Sequence, residues 1–353
     1  MTLILFGIGF GLLILGAELL VRGGSRLAIR AGVSPLVIGL TIVAYGTSTP
    51  ELAVNVQASM AGRPDLALGN VVGSNILNVL LILGVAAVLA PLAISPHVLR
   101  RDLPIMIGVS VLLLPLAMDG HIGRVDGLLM TGAVVLYTLT SIRAGRRQHL
   151  EAQGTHGGQG PVAFSLPSIW GHVLSVLCGL VLLVVGTRWI VDGAVFIAQS
   201  LGLSELVIGL TVVAAGTSLP ELTTSALATA RGERDIAIGN IVGSNIYNIL
   251  AILGISSLIH PIPVTQSVLW FDLPVMIATA LVCLPLFLTG RALSRGEGLL
   301  FLGYYVAYTV YLILDGLNHE RLPAYRQVML FAVLPLTLIT IGLLAARKRG
   351  IRR

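Results

Sequence analysis

Two octapeptides hold most of the polar chemistry of an otherwise apolar chain. They read Ala44-Tyr45-Gly46-Thr47-Ser48-Thr49-Pro50-Glu51 and Ala214-Ala215-Gly216-Thr217-Ser218-Leu219-Pro220-Glu221. On a helix, Thr47 and Ser48 stand one turn before Glu51, so two hydroxyls and a carboxylate share a face; Thr217, Ser218 and Glu221 repeat the arrangement. All are oxygen ligands. Pro50 has no N–H to give to the carbonyl of Gly46, and Pro220 has none for Gly216, so carbonyls near Ala44 and Gly46 are predicted to be freed as further oxygens. A second pair of segments runs from Gly69 to Asn78 and from Gly239 to Asn248. In each, a serine and an asparagine four residues apart (Ser74 and Asn78, Ser244 and Asn248) face one way and are assigned to the same site. Asn70 and Asn75 suit a hydrogen bond between helices as well as an ion contact. Gly69 and Gly73 form a small-residue pair that lets helices approach closely.

Two carboxylates, several hydroxyls, amide oxygens and carbonyls, with no thiol or imidazole among them, suit a hard cation. Ca2+ takes about six to eight oxygens, and Na+, of nearly the same radius, accepts the same set. Mg2+ dehydrates too reluctantly, and Zn2+ or Cu+ would call for softer ligands. An enzyme would need a nucleophile with its base, or a metal set such as His-Glu-x-x-His; the sequence contains neither.

The elements that must position these residues lie in lipid. Of 353 residues, 56% are hydrophobic and 11% charged, against about a quarter charged in a soluble domain. The net charge of +6 comes without a basic cluster interleaved with aromatics, so it reports membrane topology rather than nucleic-acid binding. Cys178 and Cys283 lie in apolar runs and build neither a disulfide framework nor a metal site. A hydrocarbon core of about 30 Å takes about 20 residues to cross, and eleven stretches are predicted to do so: 2–30, 34–60, 66–90, 98–118, 124–142, 168–199, 204–230, 236–259, 268–289, 297–315 and 327–346. The first lacks a basic lead and is kept as a mature span. Glu51 then sits about 25 Å along its helix, well inside the hydrocarbon, where a carboxylate is a functional hypothesis by default.

Residues 34–84 and 204–254 align without a gap, with 31 of 51 positions identical. Five spans per unit is an odd number, so the second copy must cross in the opposite sense. The basic residues agree: 17 fall on one side of the membrane and 4 on the other, placing the N-terminus outside and the C-terminus in the cytoplasm. The predicted fold class is an all-α membrane protein whose ten-span core is two inverted five-helix repeats, followed by an eleventh, C-terminal transmembrane helix. Residues 1–143 form the first repeat, 144–167 a cytoplasmic linker, 168–315 the second repeat, and 316–353 the extra helix with a basic tail. Glu18 with Arg22, and Arg188 with Asp192, read as interfacial ion pairs, and Asp102 and Asp272 as helix caps.

At these motifs the sequence resembles the cation/calcium exchanger superfamily, and within it the prokaryotic sodium/calcium exchangers. The similarity covers roughly residues 1–315. The resemblance implies ion ligands at Thr47, Ser48, Glu51, Ser74, Asn78, Thr217, Ser218, Glu221, Ser244 and Asn248, with carbonyls at Ala44 and Ala214. It implies that the first and sixth spans move together as a gating pair. It further implies a monomeric inner-membrane antiporter, not an enzyme, with no cofactor and with Ca2+ and Na+ as its substrates. An alternative within the superfamily is exchange of Ca2+ for H+. Proton-coupled members typically carry a glutamate near the positions of Gly73 and Gly243, which argues against that branch. Members often have an aspartate at one of the positions of Asn78 and Asn248; here both are neutral, which leaves two full charges in the site.

Overall fold

The computed structural model describes residues 2–62, 64–155, 166–200, 214–288, 291–317 and 319–333. Helix α1 is Thr2–Ala31. Helix α2 comprises Pro35–Ile38, a π-helical turn at Gly39–Val43, Ala44–Thr47 and, past a break, Thr49–Met60. Helix α3 is Pro64–Leu77 continued by a π-helical Asn78–Ile82 and by Leu83–Leu89. Helix α4 is Val98–Asp102 with Leu103–Ala117, and α5 is Arg124–Thr155. In the second half, α6 is Leu166–Ser200 and α7 is Ala214–Thr217 with Leu219–Ala230. Helix α8 is Arg234–Tyr247, Asn248–Leu253 and Gly254–Ile259. Helices α9 (Val268–Asp272 with Leu273–Leu288) and α10 (Arg295–Gly316) follow, and α11 begins with Leu322–Val328 and Met329–Val333.

Helix breaks recur at equivalent positions of the two halves. π-helical turns open at Asn78 and Asn248 and again at Val98 and Val268. Such turns disturb the regular backbone ladder and cluster at functional sites. Two short ribbons interlock the halves. Strand β1 (Leu92–Ala93) pairs antiparallel with β4 (Ala292–Leu293), and β2 (His121–Ile122) with β3 (Ile262–Pro263). Each ribbon joins a turn of one half to a turn of the other.

Helices α1, α3, α5, α6, α8, α9 and α10 are long and apolar enough to cross a membrane, and the two arms of α2, bent by 44° at their break, make an eighth crossing if taken together. The sequence predicts eleven. Helix α4 opens with Arg100, Arg101 and Asp102, residues 201–213 before α7 lie outside the described residues, and so does most of the span predicted at 327–346. Helix α5 continues through Thr155, beyond the boundary predicted at 142, because its polar tail is rich in helix-forming Arg, Gln, Leu, Glu and Ala and has no proline. Residues 156–165 of the predicted linker lie outside the described residues.

Helices α3 and α8 form the buried centre, α8 almost entirely so. The outer helices turn Ile4, Ile14, Leu128, Leu129, Leu174 and Trp170 outward. An apolar exterior of this extent is compatible with lipid as the surrounding solvent. On one flank α1 and α6 meet backbone to backbone. A Cβ on Gly16 would lie 2.8 Å from the carbonyl oxygen of Gly179, and a Cβ on Gly186 would lie 2.8 Å from that of Gly9. Only glycine fits there, and since Gly9 meets Gly186 while Gly16 meets Gly179, the helices run antiparallel.

Asp102 and Asp272 are not caps. Neither opens a helix with its side chain on a backbone N–H; Tyr137 of α5 donates to Asp102 at 3.4 Å and Tyr308 of α10 to Asp272 at 3.1 Å. The backbone at Asp102 is already helical (φ −75°, ψ −39°), because the π turn carries the helix past the expected start. Its carboxylate therefore joins neighbouring helices instead of ending one. The Glu18–Arg22 and Arg188–Asp192 pairs are present, and Arg231, directly after α7, adds a second partner to Glu18.

Candidate cation site

The site forms where the breaks of α2 and α7 meet α3 and α8. Ser48 (φ −83°, ψ 9°) and Ser218 (φ −92°, ψ 10°) leave helical geometry, and each is followed by a segment with proline in its first turn. The proline cannot close the preceding turn, so the chain bends at the serine and turns its side chain toward the opposite half.

The two halves then exchange hydrogen bonds in a crossed pattern. Ser48 donates to Glu221 Oε1 at 2.8 Å, and Ser218 donates to Glu51 Oε1 at 2.9 Å. The Ser48 and Ser244 hydroxyls are 3.0 Å apart, and those of Ser218 and Ser74 are 3.5 Å apart. Each serine thus reaches both a carboxylate and a hydroxyl of the other copy. Glu51 and Glu221 are buried, and among the described residues neither pairs with an arginine, lysine or histidine. Burying two carboxylates without a counter-charge is costly, and crossed serine hydroxyls offset only part of it.

Among the residues the sequence assigns to the site, four buried side-chain oxygens have no hydrogen-bond partner: Glu51 Oε2, Glu221 Oε2, Asn78 Oδ1 and Asn248 Oδ1. They are two symmetry-related pairs from the residues that the sequence singles out. Asn248 uses its amide N–H to reach Asn75 Oδ1 at 3.1 Å, leaving its carbonyl oxygen unengaged. Among the described residues no three His, Cys, Asp or Glu side chains gather to hold a metal. The donors here are two carboxylates supported by neutral oxygens, a set that suits a hard ion.

Thr47, Ser48, Ser74, Asn78, Ser218, Ser244 and Asn248 are buried with the two glutamates, and Thr217 is half-buried in the same turn of α7. Ala44 is corrected in one respect. Its carbonyl is not freed: it accepts the Ser48 N–H at 3.0 Å, with the Thr47 hydroxyl 3.3 Å away. Proline removes the donor four residues back, at Gly46, and leaves Ala44 served. Ala214 is the first described residue after the gap at 201–213, and its side chain lies outside the description.

Sequence reasoning passed over a layer behind these residues. Asn240 of α8 accepts from Thr47 at 3.0 Å and donates to Ser225 at 2.9 Å. Asn70 donates to Asn55 at 2.6 Å, so of the roles left open for it the structure shows the helix-to-helix bond. Tyr45 stacks on Tyr247, with ring centroids 4.3 Å apart, and bonds to Thr138. The signal for Asn240 was its place beside Gly239 in the duplicated motif; no spacing rule separates a ligand from its support.

A bundle of apolar helices enclosing paired carboxylates among neutral oxygens is the build of a membrane antiporter for cations. The family model described as sodium/calcium exchanger protein matches residues 1–143 and 171–314, and the chain belongs to that family. It is a family of transporters rather than enzymes. The chain is 38% identical to the inner membrane protein YrbG of Escherichia coli (strain K12), over 85% of this chain and 93% of that one. It is 36% identical to the sodium/calcium exchanger MaX1 of Methanosarcina acetivorans, over 86% and 96%. Among solved structures, the sodium-calcium exchanger NCX_Mj soaked with 10 mM Na+ and zero Ca2+ superposes with a TM-score of 0.76 at 30% identity, over 86% of this chain and 96% of that one.

Proposed function

We propose that the chain exchanges Ca2+ for Na+ across the cytoplasmic membrane by alternating access, at one site shared by both ions. The observation that carries this reading is the set of four unpartnered buried oxygens on Glu51, Glu221, Asn78 and Asn248. Such groups are tolerated in a low-dielectric interior when they meet a cation. Thr47, Ser48, Ser74, Thr217, Ser218, Ser244, the carbonyl of Ala214 and that of Ala44, through the lone pair that the Ser48 N–H leaves over, complete the shells. Bound Ca2+ balances the two carboxylates, and Na+ competes for the same oxygens. A loaded site can switch sides, whereas an empty one carries two bare charges through the switch, so the two fluxes are coupled.

In this reading ten spans form two inverted five-helix repeats, 1–143 and 168–315, joined by a cytoplasmic linker at 144–167; an eleventh helix follows in 316–353. The N-terminus is outside, the C-terminus cytoplasmic, and the unit monomeric. The antiparallel meeting of α1 with its sequence counterpart α6 supports the inversion and suits a pair that moves as one body. Sodium rather than proton coupling is supported by glycine at both Gly73 and Gly243, where the proton-coupled branch carries glutamate; at Gly243 a Cβ would lie 2.7 Å from the Leu40 carbonyl oxygen, while Gly73 has nothing within 4 Å.

The test is uptake of radiolabelled calcium into proteoliposomes under an outward sodium gradient, an outward proton gradient, or neither. Sodium-dependent uptake that Glu51→Gln abolishes is expected. Uptake that ignores sodium, or that survives the substitution, would overturn the reading.

A further inference from the structure

We infer that Asn240 is a positioning residue for ion binding: its amide oxygen accepts the hydrogen bond of the Thr47 hydroxyl and so leaves that oxygen's lone pairs, and the second lone pair of the Ala44 carbonyl, available to the ion. The inference rests on the site proposed above. A hydroxyl has one proton, and as a cation ligand it must aim lone pairs at the ion and send the proton elsewhere. Thr47 Oγ1 has three acceptors in reach: Asn240 Oδ1 at 3.0 Å, the Ala44 carbonyl at 3.3 Å and the Glu221 carboxylate. The contact to Asn240 is the one that spares both Ala44 and Glu221 for the ion.

The orientation of the Asn240 amide follows from its surroundings. It is fully buried, and one end faces the Glu221 backbone carbonyl at 3.4 Å and Ser225 Oγ at 2.9 Å. A carbonyl can only accept, so that end is the NH2, and the oxygen must face Thr47. Thr47 is thereby the donor. One amide held on α8 touches the first motif through Thr47 and the second through Glu221 and Ser225. The equivalent residue in the other copy, Asn70, spends its NH2 on Asn55, which occupies the place of Ser225, and is only half-buried.

A double-mutant cycle tests this, with half-saturating Ca2+ and Na+ and the maximal rate measured in proteoliposomes. Asn240→Leu is expected to raise both half-saturating concentrations about tenfold, the equivalent of one hydrogen bond, with the maximal rate within about twofold of wild type. In a Thr47→Val background, where no proton needs placing, the same change is expected to add less than about twofold. Asn240→Asp keeps the acceptor, so Thr47→Val should retain its full wild-type effect there. This arm carries the test alone if the leucine variant does not fold. Additive losses in the first cycle, a loss confined to the maximal rate, or a Thr47→Val that has no effect beside Asn240→Asp would each overturn the inference. Absence of sodium-dependent calcium flux in the wild type would instead overturn the functional reading beneath it.

Discussion

Glu51→Gln is the most informative single change, because its geometry is conservative and its charge effect is not. Glutamine keeps an oxygen where Ser218 donates at 2.9 Å, so the crossed bond survives. The unpartnered Oε2 becomes an NH2, and one of two negative charges disappears. Two unit charges about 4 Å apart interact by about 4 kcal/mol at an effective dielectric of about 20, and a divalent ion doubles that. Relaxation reduces what is measured, and removing one partner of a buried charge pair typically costs about 3 kcal/mol or more. Ca2+ affinity should therefore fall by about a hundredfold or more, and Na+ affinity by about the square root of that factor, since its charge is half as large. Calorimetry of Ca2+ and Na+ binding to detergent-purified protein checks both. Unchanged Ca2+ binding, or a larger loss for Na+ than for Ca2+, would refute the electrostatic argument. Glu221→Gln should match it, because the crossed bonds at 2.8 and 2.9 Å are nearly equal.

Other changes probe the frame. Ser48→Ala and Ser218→Ala each remove one hydrogen bond to a carboxylate and should weaken Ca2+ binding by similar amounts, about 1.5–3 kcal/mol each, read by the same calorimetry. Gly16→Ala puts a methyl 2.8 Å from the Gly179 carbonyl oxygen and should destabilise the α1–α6 contact by about 1–3 kcal/mol, seen as a lower midpoint of thermal unfolding in detergent. Gly7→Ala, with nothing within 4 Å, should leave that midpoint unchanged. Asp102→Asn keeps an acceptor for Tyr137 and should be tolerated, whereas Asp102→Leu removes that acceptor, leaves the buried Tyr137 hydroxyl with Ser141 alone, and should lower the midpoint.

Several expectations failed because the backbone breaks, or keeps its helical bonds, at places other than those a residue-type reading assumes. The π turn at Val98–Asp102 carries the helix past the expected cap, so Asp102 meets Tyr137. The break at Ser48 still lets its N–H serve Ala44, so the carbonyl thought free is occupied. Helix α5 runs to Thr155 because a polar composition does not end a helix when its residues are helix formers.

By itself the sequence determined the lipid setting, the duplication and the chemical type of the side chains at the candidate site. Those follow from composition, identity at fixed offset and the types of side chain available, and none needs a third dimension. Only the tertiary structure decided which oxygens face one another. The crossing of Ser48 to Glu221 and Ser218 to Glu51, and the choice of Asn240 to hold Thr47, join residues more than 160 positions apart. The physical reason is that helical spacing places groups on one face of one helix, whereas a shared cation site depends on how two broken helices dock, and that is decided by glycine-to-backbone contacts such as Gly239 and Gly243 against Leu36 and Leu40.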